Sequence, residues 1–188
     1  MVNTAVLFAT GFEEVEGLTV VDLLRRANIN TIMVGVEEKK VTGAHDVNIT
    51  TDKTLDEINI DQLDALILPG GAPGFQNLRK NERVLSMIKD AYEKKKIVAA
   101  ICASPSVLAT AGVLKNKKAT IYPGMEEEIK KGEGIIYDDL VVVDNNIVTS
   151  KGPATTMLFA LKLIELLKDK ETSEDVKNKV LLPLIYSG

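Results

Sequence analysis

Between Ile97 and Ile101 the chain reads Ile-Val-Ala-Ala-Ile, five apolar residues with no polar alternation. A strand with one wet face alternates apolar and polar side chains. An unbroken apolar run of this length, set among helical segments, points to a strand covered on both faces. Ala65–Leu68 and much of residues 2–9 have the same character. Helical periodicity fills the segments between, first over residues 14–27. Strand and helix then alternate to the end of the chain, with no Ser/Gly/Pro-rich linker and no internal repeat. The expected fold is α/β: a three-layer α/β/α sandwich around a mostly parallel, doubly wound sheet. Residues 1–188 are read as one domain, slightly above the commonest domain length.

Further strands are expected at residues 31–36, near 118–121 and 135–137, and over 140–149. A hairpin or arm is expected over 39–50, around Gly43. Helices are expected over 82–95, from Pro105 to Gly112, and from Pro153 to about Lys168. Glycine suits the left-handed residue after a helix, and proline is accepted in a first turn.

Charge and composition narrow the function. Lys and Arg number 23 against 27 Asp and Glu, for a net charge of −4, and no basic cluster interrupts the sequence. That balance argues against nucleic acid or an anionic membrane surface as the main partner. Four Tyr, four Phe and no Trp are too few for base-stacking platforms. No apolar run approaches the ~20 residues that cross a bilayer. No Lys or Arg precedes the apolar stretch at residues 5–9, so no signal peptide is expected. With one cysteine and no internal disulfide, a cytoplasmic location is expected. One Cys (Cys102) and one His (His45) cannot make the usual zinc site in a single chain. No metal or cofactor is expected. The run Glu126, Glu127, Glu128 reads as a solvated helix face.

In a doubly wound sheet, ligands bind beyond the carboxyl ends of the strands. Four such ends stand out. At Cys102 a buried strand runs into a turn and a helix begins within three residues, the outline of a nucleophile elbow. The N–H groups of a helix start favour thiolate over thiol. A free cysteine is also often plain core packing, and the local residues leave both readings open. At Leu68-Pro69-Gly70-Gly71, two glycines let backbone N–H groups converge on an anionic atom, or else simply serve a tight turn. On the first helix, Glu16, Val20, Leu23 and Ala27 share a face, so Glu16 points inward. A carboxyl there needs a partner or its proton. Glu13 and Glu14 read as first-turn acids favouring the helix dipole. Ser150-Lys151-Gly152-Pro153 opens another strand–turn–helix, read as helix capping and pocket wall.

The motifs GFEEVE (11–16) with VVDLLRRA (20–27), LPGG (68–71), AAICASPSVLA (99–109) and SKGPATT (150–156) stand in an order and spacing that resemble the DJ-1/PfpI (ThiJ-like) superfamily, in particular its deglycase branch. The resemblance covers nearly the whole chain. It implies a flavodoxin-like sandwich, a homodimer, and Cys102 as a reactive nucleophile. It implies a protonated Glu16 hydrogen-bonded to the sulfur, and an anion pocket formed at Gly70, Gly71 and Ala103 by backbone N–H groups, with Tyr122, Gly152 and Pro153 as wall. The activities it implies are glutathione-independent conversion of 2-oxoaldehydes such as methylglyoxal, removal of early glycation adducts, cysteine oxidation to sulfinate, and chaperone action. The implied partner is a small carbonyl compound.

The sequence departs from the family at one kind of residue. The peptidase-like branch has histidine directly after the nucleophile, where this chain has Ala103. The deglycase branch often has one in the segment matching residues 120–123, where this chain has Tyr122. A tyrosine hydroxyl is a poor base at neutral pH, so peptidase or amidotransferase chemistry is not expected. His45, in the arm, has no visible partner and is read as a surface or interface residue. Two functions stand side by side: an enzyme acting on carbonyl compounds through Cys102 and Glu16, and a redox sensor whose Cys102 is oxidised. A flavodoxin-like binding module is disfavoured by the lack of a phosphate-cradling glycine-rich loop.

Overall fold

The computed structural model describes residues 2–186. In chain order its elements are β1 (Asn3–Phe8), α1 (Glu14–Arg26), β2 (Asn30–Gly35), β3 (Lys40–Thr42), β4 (Asn48–Thr50), β5 (Lys53–Thr54), β6 (Ala65–Leu68), α2 (Gly74–Lys80) and α3 (Glu82–Glu93). They continue as β7 (Ile97–Ile101), α4 (Pro105–Thr110), β8 (Lys118–Ala119), α5 (Glu126–Lys131), β9 (Ile135–Ile136), β10 (Val141–Asp144), β11 (Ile147–Ser150), α6 (Thr156–Leu167) and α7 (Lys170–Lys179).

Seven strands form one sheet in the order β10-β11-β7-β6-β1-β2-β5. Every neighbouring pair is parallel except β10 with β11. The chain starts at β1, winds out through β2 to β5, then returns to β6 on the other side of β1. The direction of winding therefore reverses between β1 and β6, and the crevice beyond their carboxyl ends is where such a sheet binds ligands.

Both faces of the sheet are covered, as the unbroken apolar strands require. Ala5 and Leu7 of β1 pack with Val84 and Ile88 of α3 and Val107 and Leu108 of α4. Val6 and Phe8, on the opposite face, pack with Val20, Leu23 and Leu24 of α1 and Phe159 of α6. Each large side chain of this kind contributes roughly 1.5–3 kcal/mol when fully buried. The fold is the expected flavodoxin-like α/β sandwich.

Several details differ from the sequence expectation. α2 follows directly on a stretch of Pro and Gly that reads as loop. α7 is strongly polar and is capped by Asp169, whose side chain accepts the Thr172 N–H at 2.7 Å. Pro153 opens a single 3-10 turn, Pro153–Thr155, and the α-helix begins only at Thr156. Residues 140–149 divide into two antiparallel strands turning at Asn145, which has φ of 55°. Among the described residues, no helix is long and apolar enough to cross a membrane.

Candidate active site

The ends of β1, β6 and β7 bring together residues far apart in sequence. Beyond β7 the backbone of Cys102 takes a φ of +63°. That conformation is unfavourable for a side chain with a Cβ and persists only where its surroundings hold it. Here Cys102 N–H donates to Ser150 O at 3.0 Å, and Cys102 O accepts from Tyr122 N–H at 2.9 Å. The turn lifts the sulfur out of the strand, and the side chain is half-buried. Ser104 ties this turn to its neighbour: its buried hydroxyl donates to Pro69 O at 2.6 Å. Nothing in the sequence marked Ser104 for this task, which depends on two loops 35 residues apart.

Glu16 is 0% exposed, on the inward face of α1 as its spacing predicted. Its Oε2 accepts the Gly70 N–H at 2.7 Å. Among the described residues Oε1 has no hydrogen-bond partner, while the carboxyl and the Cys102 thiol are close enough to perturb each other's titration. A buried carboxylate oxygen with nothing to accept is costly. A proton on it removes that penalty and gives the sulfur a donor.

The glycines of LPGG are there for closeness as well as for dihedrals. A Cβ on Gly70 would lie 2.6 Å from Cys102 Cβ and 2.8 Å from Glu16 Oε2. Gly71 has φ of +90°, and a Cβ there would meet Glu13 N at 2.2 Å. The two N–H groups differ in use. Gly70 gives its own to Glu16, so it is not free for an oxyanion, whereas Gly71 and Ala103 direct theirs at the sulfur.

Burial pushes Glu16 up to about 7, reinforced by the nearby charge of Glu13 and opposed by the Gly70 N–H and by Cys102. It also pushes the thiol up to about 12, and the charge of an ionised Glu16 adds to it. The expected lowering by the helix start is outweighed here. α4 is only six residues long, and the N–H groups of Ala103 and Gly71 pull against a larger desolvation. When Glu16 holds its proton, the repulsive contribution to the thiol disappears. The two groups therefore titrate as a unit. One negative charge is better placed on the sulfur, which has two N–H donors and partial exposure, than on a sealed carboxylate with one.

Tyr122 is 47% exposed, and its ring lies against Gly152, where a Cβ would be 3.4 Å from Cδ2. Pro153 is exposed beside them. His45 stands elsewhere, on the turn between β3 and β4. It does have a partner: Glu14 Oε2 lies 2.8 Å from His45 Nδ1, and Glu14 Oε1 accepts the His45 backbone N–H at 2.7 Å. Glu14 is thus a buried acceptor as well as the first-turn acid its position predicted. Burial raises it, the His45 ring and N–H together with the Glu14 and Val47 backbone outweigh burial, and the carboxyl ends below its ordinary value. The His45 ring is raised in turn, first by the Glu14 hydrogen bond and then by the charge of Glu13.

The DJ-1/PfpI family model matches residues 2–166. Protein dj-1beta of Drosophila melanogaster is 35% identical over 181 residues, covering 96% of this chain and 97% of that protein. A deglycase of Pyrococcus horikoshii is 36% identical over 166 residues, covering 87% and 99%. The solved structure of Toxoplasma gondii DJ-1, oxidized, superposes with a TM-score of 0.91 at 34% identity, covering 96% of this chain and 98% of that one.

Proposed function

This chain belongs to the DJ-1/PfpI family, and on that premise we propose that it is a cofactor-independent enzyme acting on 2-oxoaldehydes or on early glycation adducts through Cys102 and Glu16. The observation that carries the reading is a wholly buried carboxyl and a half-buried sulfur placed so that each perturbs the other's titration, beside two N–H groups that favour the thiolate. The name of the Pyrococcus relative, a deglycase, supports it.

With methylglyoxal, the Cys102 thiolate adds to the aldehyde carbon and forms a C–S bond. The carbonyl oxygen becomes an oxyanion facing Gly71 and Ala103 N–H and takes the proton of Glu16, giving a hemithioacetal. The Glu16 carboxylate then removes the proton on that carbon and returns it to the neighbouring carbon through an enediol. A thioester of lactate is left. Water attacks the thioester, the C–S bond breaks, and lactate leaves as the thiolate and the Glu16 proton are restored. The sum is methylglyoxal plus water to lactic acid. A positioned acid–base group of this kind contributes typically about 10²–10⁴-fold. Saturable lactate formation by the native protein, abolished in Cys102→Ser and Glu16→Gln, is the expected result. No turnover in the native protein overturns the reading.

A second reading is a redox sensor or chaperone whose Cys102 takes oxygen from peroxide, first to sulfenate and then to sulfinate, releasing water each time. The Toxoplasma relative, described as oxidized, favours it. Mass spectrometry showing two added oxygens on Cys102 in a protein without turnover selects this function. We also propose a homodimer, which light scattering at the monomer mass overturns.

A further inference from the structure

Glu13 sits where α1 meets the Gly70–Gly71 turn. Its N–H donates to Gly70 O at 2.9 Å, and the position of a Cβ on Gly71 falls against the same nitrogen. The side chain is 16% exposed. Among the described residues its carboxylate accepts no hydrogen bond, and the one cationic side chain within 4 Å is the His45 ring, 3.8 Å away. That ring is already engaged by Glu14 at 2.8 Å. Among the described residues, neither Glu13 nor Glu14 has an ion pair with lysine or arginine. Two carboxylates therefore share one exposed histidine beside the loop that holds Glu16 and faces the sulfur. The field of Glu13 reaches the site, since it adds to burial in holding the proton on Glu16.

We infer that Glu13 determines specificity by charge: it admits uncharged carbonyl compounds to Cys102 and turns away electrophiles bearing a carboxylate or phosphate. The inference rests on the reading of Cys102 as the nucleophile and gives that site its substrate class. Uncharged 2-oxoaldehydes enter freely, while 2-oxo acids and phosphorylated aldehydes are disfavoured. The same charge helps the other end of the cycle, because hydrolysis of the thioester creates a carboxylate next to Glu13, and repulsion hastens its departure. When His45 is protonated, a form favoured by the Glu14, Glu13 and Asp46 carboxylates that face it, its positive charge offsets part of this field. The filter is accordingly stronger once His45 has lost its proton.

The test uses two alkylating reagents of nearly equal shape, iodoacetamide and iodoacetate, on a chain with one cysteine. Rates are measured at one pH for the native protein and for Glu13→Gln. The substitution also shifts the thiolate fraction, but both reagents report the same fraction, so their ratio cancels it. The expected result is a native preference for the neutral reagent that exceeds the preference of a free thiol. That preference should shrink about fivefold in Glu13→Gln, the size given by one unit charge acting through several ångströms of partly wet protein. Added salt should narrow the native preference in the same direction. A preference unmoved by the substitution overturns the inference. A protein that shows the preference yet makes no lactate keeps the charge filter and loses the enzymatic reading. One that makes lactate while Glu13→Gln leaves the preference unmoved does the reverse.

Discussion

Replacing Glu16 by glutamine keeps the side chain's size and its acceptor for the Gly70 N–H while removing the proton that titrates. Once the amide oxygen takes the Gly70 N–H, 2.7 Å from Oε2 in the native protein, the amide NH₂ faces the sulfur and stands in for a protonated carboxyl. In the native pair the first proton leaves near 7 and the second only near 12. If the first ionisation leaves its charge on the sulfur, as the two N–H donors there favour, native Cys102 alkylates with a midpoint near 7. Glu16→Gln then holds that midpoint within about a unit, because its sulfur meets the same neutral donor. Glu16→Ala removes the donor, and a hydrogen bond to a charged group is worth about 1.5–3 kcal/mol, so its midpoint rises by about 1–2 units. The assay is the pH dependence of iodoacetamide alkylation. If the charge sat on Glu16 instead, the native midpoint would lie near 12 and Glu16→Gln would lower it by several units. The two cases differ by about 100,000-fold in thiolate at a fixed pH below both midpoints. A native midpoint near 12, falling in Glu16→Gln, refutes the reasoning.

Two further outcomes follow from the same groups. Between pH 4.5 and about 7 the folded protein keeps a proton on the Glu16–Cys102 pair that an unfolded Glu16 has released. Stability therefore falls as pH rises across that window, by about 3 kcal/mol. Urea unfolding at a series of pH values should show this slope in the native protein and its loss in Glu16→Gln; an equal slope in both sinks the assignment. The His45 ring, raised by Glu14 and Glu13, should titrate above its ordinary 6.5 in a proton NMR experiment on this one-histidine chain. It should move back toward that value in Glu14→Gln, and a midpoint indifferent to the substitution contradicts the pairing. Because the folded value is raised, this contact supports the fold fully below 6.5 and loses its contribution as pH passes the folded midpoint.

What could be read in advance follows from distance along the chain. Glu16 announced itself because Val20, Leu23 and Ala27 fix the face it shares, and helical phase needs no tertiary information. Cys102 and the two glycines announced themselves because buried strands end in residues that strands do not need. The sign of the thiol shift was hidden, since a helix start is local and legible whereas desolvation depends on what closes over the sulfur. The separate uses of the Gly70 and Gly71 N–H groups were hidden for a similar reason, because they depend on where α1 lays its carboxyl across a turn 54 residues away. His45 reads as partnerless because Glu14 lies 31 residues earlier, on a helix that only the β3–β4 arm brings within reach. That arm sets the site apart from a simple cysteine–acid pair. It fixes one imidazole beside Glu14 and Glu13, and Glu13 is also the neighbour whose charge adds to burial in raising Glu16.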